Sequence, residues 1–294
     1  MRISLIATLF ATVTLSAVSS EAATVSPVQS SARPLGLKTV GPVMLAGSDG
    51  RSKKFMVDAL PAMNQTARDR VPENKNNTPS GRNSINPGID TSLLKLDYDY
   101  NVRSYFVGEG AGYHNTFGFY TSDYDPKKGI AATDAKLIFP DSSSSASYLG
   151  SGSGKRTSSE PLLPGDFVQL GKLKSGTQIN PFLISNGANG GKDVYTPYAS
   201  KNPDGLEHFV LMTVTAIPNS PYLLLGIEDL RGGGDKDYND LVIALDVGVR
   251  NVLAITGAAV PAPPAVWGGL VALGWVVVAR FRARRNATQD VVAA

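Results

Sequence analysis

The chain has 294 residues and a formal net charge of +3, from 28 lysines and arginines against 25 aspartates and glutamates, which is enough for one or two domains. It has no cysteine and only two histidines, His114 and His208; this excludes a disulfide framework, a thiol nucleophile, a zinc ribbon and most histidine-rich metal sites. The mild excess of base gathers in the tail "RFRARR" and forms no basic stripe interleaved with aromatics, so nothing points to nucleic acid.

Residues 1–23 read as a secretory signal peptide. Arg2 supplies the positive start, an apolar run continues to about Val18, and Ser20-Glu21-Ala22 is a small-x-small exit. Cleavage is expected after Ala22 or Ala23. Residues 24–89 are expected as a linker or loosely ordered arm. The stretch "RDRVPENKNNTPSGRNSINPG" carries Pro, Asn, Ser and charge with no apolar period. Within the arm, "KKFMVDAL" reads as an edge strand or one helical turn.

Residues 90–250 are expected as the folded body, long enough for one core. Short apolar runs such as "SYFVGEG", "TFGFYTS", "AKLIF", "DFVQLGKL", "HFVLMTVTAI" and "YLLLGIEDL" are separated by Gly, Pro, Asn and Asp. Outside the two chain ends no stretch shows a sustained helical period. The pattern predicts an all-β fold, a β-sandwich or jelly-roll-like body. The Ser/Gly tract over 142–160 reads as a flexible excursion. In "DLVIALDVGV", Leu241, Ile243, Leu245 and Val247 share one face and the apolar Val242 and Ala244 the other. Apolar on both faces, this strand is expected to be central.

"YLLLGIEDL" and "DLVIALDVG" read as antiparallel strands joined by "RGGGDKDYN". Gly232, Gly233 and Gly234 permit positive φ and a tight reversal. Asp235, Asp237 and Asn239 then fall at i, i+2 and i+4, the spacing with which calcium loops aim oxygens at one point. Oxygen donors without sulfur or imidazole favour calcium over zinc. The loop is not an EF-hand, because Asp240 stands where that motif needs Gly. Asp246 lies about 20 Å along the strand from Asp240 and cannot share an ion. The candidate metal ligands are Glu228, Asp229, Asp235, Asp237, Asn239 and Asp240. The competing reading is turn chemistry, in which these side chains accept backbone amides; catalysis by paired carboxylates is a third.

These residues resemble the closing signature of a bacterial domain of unknown function, number 4114: Glu228-Asp229, the glycine turn, then Asp235, Asp237, Tyr238, Asn239 and Asp240 before an apolar strand. "NPDGLEHFVLM", with Asn202, Asp204 and His208, is similar to the same family, and the resemblance runs from near Asp166 to about Val249. It implies a β-rich module of surface proteins and no established reaction.

The remaining candidates carry less chemistry. His208 and His114 read as hydrogen-bonded structural histidines, since no G-x-S-x-G elbow accompanies them. "GEGAG" at 108–112 lacks the Lys-Ser/Thr and helix of a phosphate loop. Tyr98, Tyr100, Tyr195 and Tyr198 are candidate sugar-stacking residues or ordinary half-buried packing.

Residues 251–260 are expected as a linker. Over 261–285, prolines at 261, 263 and 264 precede an apolar stretch from Ala265 to Ala279, closed by Arg280, Arg282, Arg284 and Arg285. The stretch is shorter than the roughly 20 residues usual for a spanning helix. Trp267 suits an interface, and the arginines place residues 286–294 as a cytoplasmic tail. The layout resembles PEP-CTERM sorting signals, with Ala262 where that family usually has Glu. The resemblance implies processing by an exosortase-like enzyme; a plain single-helix membrane anchor is the alternative.

The expectation is an exported, membrane-anchored structural or adhesive protein of the bacterial cell surface or extracellular matrix, stabilised by calcium and not an enzyme. Its partners would be the membrane, a sorting enzyme and extracellular polysaccharide. A carbohydrate-binding module is the alternative, and a glycan hydrolase using Glu228 and Asp235 the third reading.

Overall fold

A computed structural model of the chain describes residues 22–70, 94–121, 130, 134–146 and 154–258. The expected signal peptide, apart from its last two residues, lies outside them. So do the sorting or transmembrane segment at 261–285, the tail at 286–294 and the arm beyond residue 70. Among the described residues no helix is long and apolar enough to cross a membrane.

The described residues are mostly β, as the alternating runs predict. β1 (Tyr100–Gly108), β2 (Thr116–Tyr120), β3 (Lys136–Phe139), β4 (Phe167–Leu173) and β5 (Asn180–Ile184) are followed by β6 (Val194–Tyr195), β7 (Phe209–Thr213), β8 (Tyr222–Ile227) and β9 (Leu241–Asp246). They form a five-stranded sheet in the order β4-β1-β9-β8-β7 and a four-stranded sheet in the order β3-β2-β5-β6. Every strand pairing is antiparallel. Side chains from both sheets, among them Phe106, Phe117, Phe139, Leu183, Leu225 and Ile243, share one buried cluster.

β9 is central, flanked by β1 and β8. Its alternation sorts side chains as expected. Leu241, Ile243, Leu245 and Val247 enter the cluster between the sheets, while Val242 and Ala244 enter a second cluster on the outer face of the larger sheet.

That outer face is covered by a helix the sequence reading did not anticipate. Residues 24–70, expected as linker or loose arm, instead dock on the body. α1 (Gly50–Lys54) runs through a π-helical turn (Phe55–Ala59) into α2 (Leu60–Arg70). Phe55, Ala59, Met63 and Ala67 recur every fourth residue and are buried, so "KKFMVDAL" is part of a longer helix rather than a strand or a lone turn. The period is hidden because two of its four positions are alanine and the polar residues between them dominate the composition. Pro61 lacks the N–H that would reach Val57, and the backbone widens into the π turn just before it.

Asp49 starts this helix with a reciprocal cap. It accepts the Ser52 amide at 2.7 Å, while Ser52 Oγ accepts the Asp49 amide at 3.1 Å. Arg103 of β1 reaches the same carboxylate, with Nη2 to Oδ2 at 2.5 Å and Nη1 to Oδ1 at 3.0 Å. Burial opposes the Asp49 charge, but the Arg103 and Ser52 bonds outweigh it and hold the carboxyl below its usual range. Phe55 stacks on Tyr105 with ring centroids 3.9 Å apart.

Parts of two other segments expected as loose are also packed. Residues 251–260 were expected as linker, but α3 (Val249–Ile255) buries Asn251, whose Oδ1 accepts the amides of Asp97 and Tyr98 at 2.9 Å each. In the Ser/Gly tract, Ser142 to Ser145 are buried, and Ser144 Oγ donates to the Leu162 carbonyl at 2.8 Å. A small hydroxyl side chain can meet its bonds on the backbone, so serine content alone does not make a segment mobile.

Candidate metal site at the acidic hairpin

Antiparallel pairing gathers several chain segments at one end of the molecule. Val242, near the start of β9, lies opposite Gly108 at the end of β1 and Gly226 near the end of β8. Phe209, the first residue of β7, lies opposite Ile227. Glu228 and Asp229 therefore leave β8 beside Asp240, which enters β9, and beside His208, which enters β7.

The connection between them is built on left-handed backbone. Gly232, Gly233 and Gly234 have φ of 89°, 81° and 42°, and Lys236 and Tyr238 follow at 63° and 54°. Glycine carries no penalty there, whereas Lys and Tyr are held against their preference. The coiled loop brings Asp235 and Asp237 back over the end of β8. Glu228, Asp235 and Asp237 have carboxylate oxygens within 4.8 Å of one another, and so do Glu228, Asp229 and Asp240. Five of the six expected ligands thus meet, with Glu228 common to both groups.

The sixth, Asn239, bonds one of these five. Its amide donates to Asp237 Oδ1 at 3.1 Å and its side-chain Nδ2 to Asp237 Oδ2. Both bonds orient the Asp237 carboxylate.

Turn chemistry accounts for part of this arrangement. The Asp229 amide donates to Asp240 Oδ2 at 2.8 Å, and the Gly232 amide to Asp204 Oδ2 at 2.8 Å. It leaves out Glu228. That side chain is 1% exposed, and both of its carboxylate oxygens are buried without a hydrogen-bond donor. A buried carboxylate without a donor or a cation costs several kcal/mol, on the order of the penalties for isolated buried ions. The acidity of the group reflects this. Burial, then the Asp240 carboxylate and then Asp235 and Asp237 push Glu228 up to about 9. Burial and the Asp240 charge push Asp229 up to about 7, against the bond from Asn115. Burial also raises Asp240. Only a shared proton or a cation relieves such a cluster.

Neighbouring groups brace it. Asn115, at the start of β2 in the other sheet, donates from Nδ2 to Asp229 Oδ2 at 2.6 Å, and its Oδ1 accepts the Asn186 amide at 3.0 Å. His208 is fully buried. Its Nδ1 donates to the Glu228 carbonyl at 2.8 Å, its Nε2 lies 3.0 Å from Asp204 Oδ2, and its ring stacks on Tyr195 at 3.6 Å. Both ring nitrogens are occupied, which fits the structural role expected of it. Glu109, beyond β1, accepts the Ser144 amide at 3.2 Å, and burial pushes it up to about 7. "GEGAG" thus contributes a half-buried acid within reach of the Asp240 charge.

Asn115 and Glu109 were missed as site residues because each joins the hairpin from a distant part of the chain. The local signal for Asn115 is weak: an Asn before an apolar strand. Asp246 is absent from the site, as its distance along β9 requires. At the other end of that strand it meets Arg51 at 2.7 Å and accepts from the Tyr100 hydroxyl at 3.0 Å.

The four tyrosines do not form one platform. Tyr195 is buried under His208, Tyr100 bonds Asp246, Tyr98 lies under the Arg250 guanidinium at 3.5 Å, and Tyr198 donates to Asn180 at 2.8 Å. A different surface feature borders the hairpin, a cavity of about 250 Å³ lined by Leu206, Glu207, Gly233, Lys236 and Tyr238 among others.

Residues 173–248 match the family described as Domain of unknown function (DUF4114). The match begins at the last residue of β4 and takes in β5 to β9 with the whole acidic hairpin, less than half of the chain. It excludes Asn115, Glu109 and the helical layer. No curated protein and no solved structure matches the chain.

Proposed function

We propose that this chain, whose residues 173–248 carry that domain of unknown function, is an exported β-sandwich protein whose acidic hairpin binds calcium and thereby locks one end of the body for a structural or adhesive role at the cell surface. The observation that supports the cation is Glu228, buried at the centre of five carboxylates with neither oxygen satisfied. The donors fit the group: oxygen only, and several carboxylates within one ion's reach. Bound calcium would hold the loop to β8 and β9, and through Asp229 and Asn115 to the second sheet. Export and anchoring rest on the signal-peptide pattern at residues 1–23 and the apolar, arginine-closed segment at 261–285.

Scanning calorimetry of the protein stripped with chelator and then resupplied with calcium tests the reading. At free calcium one hundred times Kd, the bound form gains about 2.7 kcal/mol, which corresponds to a Tm rise on the order of 5–10 °C. An unchanged Tm together with no bound calcium would remove the ion.

A second reading, a carbohydrate-binding module, draws on the cavity beside the hairpin, where the Tyr238 ring, the Leu206 side chain, Glu207 and Lys236 give both an apolar and a polar lining. Glycan-array binding that appears only with calcium would favour it over a purely structural role.

A further inference from the structure

We infer that the acidic hairpin holds two divalent cations bridged by the Glu228 carboxylate, an outer one on Asp235 and Asp237 and an inner one on Asp229 and Asp240. The inference rests on the cation reading above and adds the number and arrangement of the ions.

The carboxylates fall into two groups, with only Glu228 in both. The grouping follows the chain. Asp235 and Asp237 come from the coiled loop, and Asp229 and Asp240 from the strand ends joined by the Asp229 amide. Both Glu228 oxygens are buried and lack a donor. A single ion chelated by both oxygens would serve one group and leave the other group's carboxylates without a cation, whereas a bridging carboxylate serves both groups. Bridged pairs of this kind sit about 3.5–4 Å apart, a spacing that one carboxylate can span.

Charge points the same way. The five carboxylates carry −5 when ionised. One divalent ion leaves −3 and two leave −1. Hydrogen bonds that reach the cluster include one from Asn115 to Asp229, one from the Asp229 amide to Asp240 and those of Asn239 to Asp237. Each added cation removes two charges from a site where Glu228, Asp229 and Asp237 are buried.

The two positions differ in access. Asp229 and Glu228 are 3% and 1% exposed, so the inner ion is enclosed and joined to the second sheet by Asn115. Asp235 is exposed, so the outer ion faces solvent, keeps coordination positions for water or an external oxygen ligand, and exchanges faster.

Native mass spectrometry of the full-length protein in saturating calcium reads the stoichiometry directly. Two ions per chain are expected for the wild type, one each for Asp235→Asn and Asp240→Asn, and none for Glu228→Gln at the same calcium. Wild-type protein saturating at a single ion overturns the bridged pair and leaves single-ion binding standing. Loss of all calcium from both Asp235→Asn and Asp240→Asn also overturns it, since that result marks one shared site. No calcium on the wild type overturns both this inference and the cation reading beneath it.

Discussion

The Glu228 carboxylate lies directly against Gly234. A β-carbon on Gly234 would fall 2.1 Å from Glu228 Oε1. The third glycine of the hairpin is therefore required twice, for its φ of 42° and for the space it leaves to the acid at the centre of the cluster. Gly234→Ala is expected to expel Glu228 from its position. The variant should lose about 2 kcal/mol or more from strain and displaced packing, and calcium uptake should fall with it. Urea denaturation and calcium titration of the same variant check this; normal values for both would show that the contact is not a constraint.

The raised carboxyls make the calcium-free protein sensitive to alkali. For Glu228 the folded value, about 9, lies above the ordinary 4.5, so the folded state holds a proton that the unfolded state has released. The stability this contributes is complete below about pH 4.5 and is lost as pH rises through 9. Asp229, raised from 3.8 to about 7, acts in the same direction over a lower window. In chelator, Tm should therefore fall steadily from pH 5 to pH 9. Calcium favours the ionised forms and should flatten or reverse that fall. Glu228→Gln should flatten it in chelator alone. A chelated wild-type Tm that rises across this range would contradict the buried-acid account.

Asn115 supplies a bond that joins the two sheets at the site. Asn115→Leu leaves Asp229 without that donor and the Asn186 amide without its acceptor. A loss of about 3 kcal/mol is expected in the calcium-free protein, since bonds to buried charge carry about 1.5–3 kcal/mol and an orphaned amide adds to it. Equilibrium denaturation measures the difference; a change under 0.5 kcal/mol would show that the sheets are held together without it.

The helix over residues 50–70 is part of the fold. Phe55 is fully buried against Tyr105 and lies edge-on to Tyr222 at 5.4 Å. Phe55→Ala should cost about 3–5 kcal/mol, the range for a buried aromatic replaced by a methyl group. A dispensable arm would tolerate the change with no shift in the denaturation midpoint.

Arg103 and Asp49 form a buried pair, with side chains 8% and 9% exposed. Arg103→Met, which keeps the stem but not the charge, should lose about 3–5 kcal/mol, because Asp49 is left charged and partly unsatisfied. The double variant Arg103→Met, Asp49→Asn should recover part of the loss. Double-mutant analysis by thermal melts reads the coupling, and strict additivity would show that the two side chains act independently.

How much of this could be read from the linear chain depended on the range of each interaction. The strand alternation of "DLVIALDVGV" identified β9, both of its faces and its central place, because a period of two is a local property of extended backbone. The acidic hairpin was legible for a similar reason: Glu228 to Asp240 are near neighbours in sequence, and their crowding is visible without a fold. The helical layer was not, because a short residue such as Ala59 or Ala67 shows its apolar role only once a sheet covers it.

By itself the sequence determined a strand-rich body and an acid-dense turn between its last two strands, since alternation and close spacing act over a few residues. Tertiary structure alone decided that Glu228 would be sealed in with no donor, that Asn115 would reach Asp229 across 114 positions of chain, and that Asp246 would turn to Arg51. Burial and charge pairing depend on which distant segments arrive at the same place, and that is settled only when the sheets close over their common core.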